Sequence, residues 1–216
     1  EINLLNHSYI KMKKVVIAAL FIFSSIFSCA QSDDSDGEKK VLFGFNLGVN
    51  YANLHSKKAL PTNMEVSNGS GFRLGLSSSI KFNDVISLWT KGELAFNQSK
   101  VLFSDLDNST FYKVMPISLE FAPHLVFTKK NGNLNPFVII GPSIKLPVEE
   151  RVSNTSIFPT GKDFAVDFGI GLNKVHPYFN FAPEIRYSFG LLNINKHPAI
   201  QSLNFHSISL IFNFIG

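Results

Sequence analysis

From Val41 onward, apolar and polar residues alternate with a period of two, the pattern of strands rather than of helices. Eight stretches carry it. In the first, Phe43, Phe45, Leu47, Val49 and Tyr51 share a face against Gly44, Asn46, Gly48 and Asn50. The second, over 72–82, sets Phe72, Leu74, Leu76 and Ile80 against Arg73, Gly75, Ser77, Ser79 and Lys81. The third, over about 85–103, sets Leu88, Leu94 and Phe96 against Lys91, Glu93 and Asn97. In the fourth, Ile117, Leu119, Phe121, Leu125 and Phe127 oppose Ser118, Glu120, Ala122 and His124. The fifth sets Val138, Ile140, Ile144 and Leu146 against Gly141, Ser143 and Lys145, with Phe137 and Ile139 breaking the polar phase. The sixth sets Phe164, Val166, Phe168, Ile170 and Leu172 against Asp163, Ala165, Asp167, Gly169 and Gly171. The seventh sets Phe179, Phe181, Ile185, Tyr187 and Phe189 against Asn180, Ala182, Glu184, Arg186 and Ser188, and the eighth ends with Ile208, Leu210, Phe212 and Phe214 on one face.

The connections alternate in length. Long ones fall near 55–70, 104–110, 148–161 and 191–201; short ones near 83–84, 129–133 and 173–176. Eight strands with long loops at one end and tight turns at the other predict an all-β, antiparallel up-and-down barrel over 41–216. No stretch within 41–216 reads as an amphipathic helix of useful length.

Alternation alone does not say which face points outward. A soluble barrel turns its apolar phase inward; a transmembrane barrel turns it to lipid. Composition favours the second. Only 17% of residues are charged, against about 25% in an average soluble domain, and Phe alone supplies 22. The polar phase is rich in Gly, Ser, Asn and Ala, which suit a packed interior, while so many Phe would overfill an eight-strand lumen. The strand lengths fit the roughly 9–11 residues that a tilted spanning strand needs.

The N-terminus adds a destination. Met12, Lys13 and Lys14 precede an apolar run over 15–27 and the small residues Ser28, Cys29 and Ala30, the three parts of an export signal. Residues 1–30 therefore read as upstream residues and signal peptide, starting at Met12. Two processing routes are open: cleavage after Ala30, which the sequence favours, or lipidation of Cys29 through an imperfect lipobox in which Phe27 is the bulky departure. Residues 31–40 form a polar linker; their three Asp before Gly37 do not match a calcium loop, whose ends would fall on Ser32 and Phe43. Without residues 1–30 the formal charge drops from +4 to +2, so nothing points to a nucleic-acid partner.

Chemistry is sparse. A single Cys excludes a disulfide framework and a Cys-built zinc site. No cofactor or metal motif is present, and the Gly169-x-Gly171 pair lies inside a strand, where it marks close packing. Barrels that cut lipid acyl chains use Ser and His; here His55 and His197 fall in predicted loops near Ser56 and Ser202, without an acidic partner at a recognisable spacing. No catalytic residues are assigned. The polar phase also carries Arg73, Lys81, Lys91, Glu93, Glu120, His124, Lys145, Asp167, Glu184 and Arg186, all expected to face the lumen. Buried charges must pair, so Lys91, Glu93, Glu120, Asp167, Glu184 and Arg186 are expected to meet near mid-strand. A structural ion-pair network is the favoured reading and a gated polar pore the alternative.

Several segments resemble the PorT-type outer-membrane β-barrel proteins of Bacteroidetes: FGFNLGVNYANL (43–54), GFRLGL (71–76), KGELAFNQSKV (91–101), VMPISLEFAP (114–123), DFAVDFGIGL (163–172) and PYFNFAPEIRYSFGLLNI (177–194). ISLIFNF (208–214) resembles the closing strand, whose terminal aromatic is read by the barrel-insertion machinery; here Ile215 and Gly216 follow it. The resemblance spans about 43–216. It implies a non-enzymatic barrel in the Gram-negative outer membrane, embedded in its lipid, with secretion-system proteins as partners and a role in type IX secretion or gliding motility. With residue 31 in the periplasm, loops 55–70 and 148–161 would face outward. The alternatives are a structural or ligand-binding barrel with no secretion role and a lipid-modifying barrel enzyme.

Overall fold

The computed structural model describes residues 41–56, 60–104, 109–148, 157–196 and 201–216. The export signal, Cys29, the linker, Lys57, Lys58, His197 and residues 149–156 of one long loop lie outside the described residues. Eleven strands follow in chain order: β1 (Val41–His55), β2 (Met64–Ser67), β3 (Gly69–Lys81), β4 (Ile86–Asn97), β5 (Lys100–Ser104), β6 (Ser109–Lys113), β7 (Ile117–Thr128), β8 (Leu134–Pro147), β9 (Asp163–Val175), β10 (Asn180–Gly190) and β11 (Asn204–Ile215). No described residue is helical.

Eight of them close into one antiparallel barrel in the order β1-β11-β10-β9-β8-β7-β4-β3. Neighbours in the ring are successive barrel strands, and β1 closes on β11 from Gly44 opposite Ile215 to His55 opposite Asn204. Closure leaves the barrel no free edge, so every strand can satisfy its backbone in a solvent without water. Prolines interrupt the ladders locally. The β7–β8 pairing lapses around Pro123 and Pro142, and the β9–β10 pairing lapses at Pro183, because proline brings no N–H.

The pleat sorts the side chains as the alternation predicts. Phe45, Leu47, Val49, Tyr51, Phe72, Leu74, Leu76, Phe121, Phe168, Ile170 and Ile185 stand exposed on the outer wall, with Ile170 at 62%. Asn46, Asn50, Arg73, Ser77, Lys91, Glu93, Glu120, Asp167, Glu184 and Arg186 are buried inside. A water-soluble monomer rarely exposes more than a few hundred Å² of contiguous apolar surface; here it wraps the barrel. Aromatic residues gather toward both rims. At the turn end Phe45 stacks on Phe214 at 4.9 Å and Phe181 on Phe212 at 6.0 Å; toward the loop end Phe72 stacks on Phe96 at 4.4 Å. Such girdles mark the two membrane interfaces of a transmembrane barrel.

Three departures from the sequence expectation are local. The third predicted strand breaks into β4 and β5 at residues 98–99, where Ser99 is buried and its hydroxyl donates to the Val114 carbonyl at 3.2 Å. The connections expected near 55–70 and 104–110 contain β2 and part of β6. These pair with β5 in a separate sheet, β2-β5-β6, that carries the β3–β4 and β4–β7 hairpins past the barrel mouth. The kink between β6 and β7 sits at Met115, whose φ of 45° is rare for a residue with a side chain, and Pro116 follows it. The turn expected at 173–176 lies two to three residues later, because β9 runs through Val175 and pairs Asn180.

Candidate functional site

The lumen is the only region among the described residues where charged side chains converge in burial, and the strand ring explains how they meet. β4 and β10 stand four places apart in a ring of eight, directly across the barrel, and run in the same direction. β4 presents Lys91 and Glu93 inward, and β10 presents Glu184 and Arg186. The two pairs are therefore complementary level by level. Lys91 Nζ donates to Glu184 Oε2 at 2.6 Å, and the Arg186 guanidinium binds Glu93 Oε2. Arg186 Nε also approaches Glu184 Oε1 at 3.9 Å, linking the two levels. All four side chains are essentially without solvent exposure.

A second set of contacts follows from register. Glu93 on β4 lies directly opposite Glu120 on β7. Two like charges facing each other across a ladder would be destabilising. Arg73 on β3 resolves this: its Nη1 donates to Glu93 Oε2 at 2.8 Å and to Glu120 Oε2 at 3.2 Å. Ser118 Oγ donates to the other oxygen of Glu120 at 3.0 Å. Lys145 on β8 stands opposite both Glu120 on β7 and Asp163 on β9, and its Nζ lies 4.9 Å from the Phe205 ring centroid. Asp167 accepts from Ser143 Oγ at 2.9 Å and shares a 2.9 Å hydrogen bond with His124 Nε2. Neutral amides fill in around the charges: Asn50 Nδ2 donates to Asn97 Oδ1 at 2.6 Å, and Asn213 Nδ2 donates to the Ala182 carbonyl at 2.8 Å and to Glu184 Oε2 at 3.2 Å.

The six expected lumenal residues are thus all inward and buried. Lys91, Glu93, Glu184 and Arg186 form one bridge; Glu120 joins it through Arg73; Asp167 binds His124 and Ser143 instead. Arg73, His124 and Lys145 belonged to the polar phase, but their pairing depends on stagger between strands, which alternation does not encode. Lys81 departs from its expected place: it ends β3 and is exposed at the turn end rather than lumenal.

Apolar residues close both ends of this charged layer. Toward the turns, Trp89, Val126, Phe137, Ile139, Ala182 and Ile215 cluster inside the barrel. Phe137 and Ile139, the pair that spoiled the polar phase of the fifth stretch, point inward here. Gly169 and Gly171 make room for them: a Cβ on Gly171 would come within 2.3 Å of the Phe137 ring, and one on Gly169 within 2.8 Å of Ile139. At the loop end Leu54, Val101, Met115, Phe158, Leu203 and Phe205 form a second cluster. Phe158 reaches it from the long loop after β8, held by its N–H on the Lys113 carbonyl at 2.9 Å. Of the Ser and His considered for lipid chemistry, Ser56 donates to the Ser202 carbonyl at 3.0 Å, and His55 sits 6.3 Å from His206.

An apolar outer wall around a buried charged lumen in a closed antiparallel barrel defines an outer-membrane protein. The chain belongs to the outer membrane protein beta-barrel domain family, whose profile matches residues 29–196. No curated protein matches it. Among solved structures it is similar to Neisserial surface protein A, with a TM-score of 0.50, 13% identity, and coverage of 80% of this chain and 95% of that one. OprG from Pseudomonas aeruginosa gives a TM-score of 0.49 at 16% identity over 82% of this chain and 91% of that one. The outer membrane enzyme PagL gives 0.42 at 17% identity, covering 80% and 97%. These likenesses concern the fold.

Proposed function

We propose that this outer-membrane barrel is non-enzymatic and supports protein secretion, of the type IX and gliding-motility kind, through contacts with secretion-system proteins. The observation that carries the reading is the bridge across the lumen, Lys91 to Glu184 and Glu93 to Arg186. Two ion pairs spanning the barrel, with apolar clusters above and below, make its interior a core rather than a conduit. A barrel that does not conduct acts through its surface. Its accessible surface beyond the membrane includes the loop end, with the β2-β5-β6 sheet and the loop carrying Phe158. The export signal and the even strand number favour an outward-facing loop end. The choice of secretion as the process rests on the resemblance to PorT-type proteins over 43–216. Phe214, near the end of β11, is the aromatic the barrel-insertion machinery would read.

Gene deletion with assay of secreted cargo tests this reading, alongside co-purification from gently solubilised outer membranes. Lost secretion together with a co-purifying secretion component is expected. Normal secretion would leave a structural or ligand-binding barrel, and altered lipid A or phospholipid acylation in the deletion strain would reinstate the enzyme.

A further inference from the structure

We infer that the outer wall carries a binding site for an anionic glycerophospholipid at the turn end of β7–β11. A groove of about 780 Å³ runs there, between outward-facing Phe127, Val138, Ile170, Leu172, Ile185 and Leu210. It lies where the β9–β10 ladder lapses at Pro183, opposite Leu172, so the wall is recessed rather than flush. Its surface is almost wholly apolar, and it opens on a wall that faces lipid, so an acyl chain is the occupant its chemistry fits. At one end the groove meets a second hollow of about 360 Å³; Phe127 and Lys129 line both. This smaller hollow is floored by Phe127 and Val85 and bordered by Asp84, Thr128, Lys129 and Lys130. Asp84 takes up the charge of Lys130 at 2.7 Å, whereas Lys129 enters none of the described ion pairs. An apolar trough that ends at an uncompensated ammonium matches a lipid with its chain in the trough and its phosphate on Lys129.

The test is native mass spectrometry of the folded full-length barrel in detergent, titrated with phosphatidylglycerol or phosphatidylethanolamine of equal chain length. Folding of each variant is checked by the mobility difference between unboiled and boiled samples. Wild type is expected to retain one phosphatidylglycerol in preference to phosphatidylethanolamine. Lys129→Gln should lower phosphatidylglycerol retention about fivefold, the worth of one lysine at an anionic lipid surface. Lys100→Gln, at the opposite rim in β5, should leave it unchanged. Leu172→Trp, which fills the trough, should lower retention of both lipids. Equal retention of the two lipids by wild type, or a Lys129→Gln variant indistinguishable from it, would overturn the headgroup assignment. Retention unaffected by Leu172→Trp would overturn the trough.

Discussion

Replacing Glu93 with alanine removes the acceptor shared by two guanidiniums. Glu93 Oε2 receives Arg73 Nη1 at 2.8 Å and the Arg186 guanidinium, and the carboxylate is 1% exposed. Breaking a buried pair by removing one partner costs about 3–5 kcal/mol, because the remaining charge is left uncompensated. Both arginines keep a secondary carboxylate: Arg73 has Glu120 at 3.2 Å, and Arg186 has Glu184 at 3.9 Å. The loss should therefore fall at the lower end, about 3 kcal/mol. Glu93→Gln retains an acceptor oxygen while losing the charge, and hydrogen bonds to charged groups are worth about 1.5–3 kcal/mol, so about half the loss should be recovered. Urea unfolding of barrels refolded into lipid vesicles reads this directly. Trp89, the single tryptophan, packs against Phe137 at 5.1 Å inside the barrel and reports loss of the interior. With a slope of about 1–3 kcal/mol per molar urea, Glu93→Ala should move the midpoint down by about 1–3 M. A midpoint equal to that of wild type would refute the reasoning, since it would mean that water already solvates these charges.

Leu94, one residue on, faces lipid at 37% exposure, and Leu94→Arg should cost about 2–4 kcal/mol near the bilayer midplane in the same assay; a neutral result would show that this phase does not face lipid. Gly171→Ala sets a Cβ against the Phe137 ring and the Pro183 carbonyl and should cost about 1–3 kcal/mol, seen as a lower urea midpoint. At the turn, the Asp84 carboxyl is held below the ordinary aspartate range by its hydrogen bond from Lys130 and by that ammonium's charge. The stabilisation this brings is present above the ordinary aspartate pKa and is lost as pH falls through the lowered value. Carboxyl NMR should show Lys130→Gln moving the Asp84 titration upward. Protease added to intact cells should cut near Lys162 or the Lys57-Lys58 pair and spare Lys129-Lys130; cutting confined to the latter would invert the orientation.

The barrel was legible in the sequence because lipid and lumen impose opposite demands on alternating residues, as in Phe45, Leu47 and Val49 against Asn46 and Asn50. Identity of the partners was less so. Arg73 and His124 showed themselves as inward-facing, yet who meets whom depends on strand stagger: Arg73 reaches Glu120 two strands away, over β4. The Lys91-x-Glu93 and Glu184-x-Arg186 motifs are complementary on inspection, but only their placement across the ring makes them partners. Phe137 and Ile139 looked like noise in the polar phase because alternation assumes a uniformly polar lumen. An interior closed by apolar clusters reverses that rule near the strand ends. β6 was hidden by its brevity and by the break at Met115 and Pro116, which separate it from β7.

The filled lumen is tested most directly by planar-bilayer recording of the refolded full-length barrel. The ion pairs across the lumen and the two apolar clusters predict a bilayer that stays silent after insertion is verified, with no discrete conductance steps at either polarity. Stable steps that shrink or vanish in Glu93→Gln and Lys91→Gln barrels would contradict the account and make the charged layer the lining of a pore.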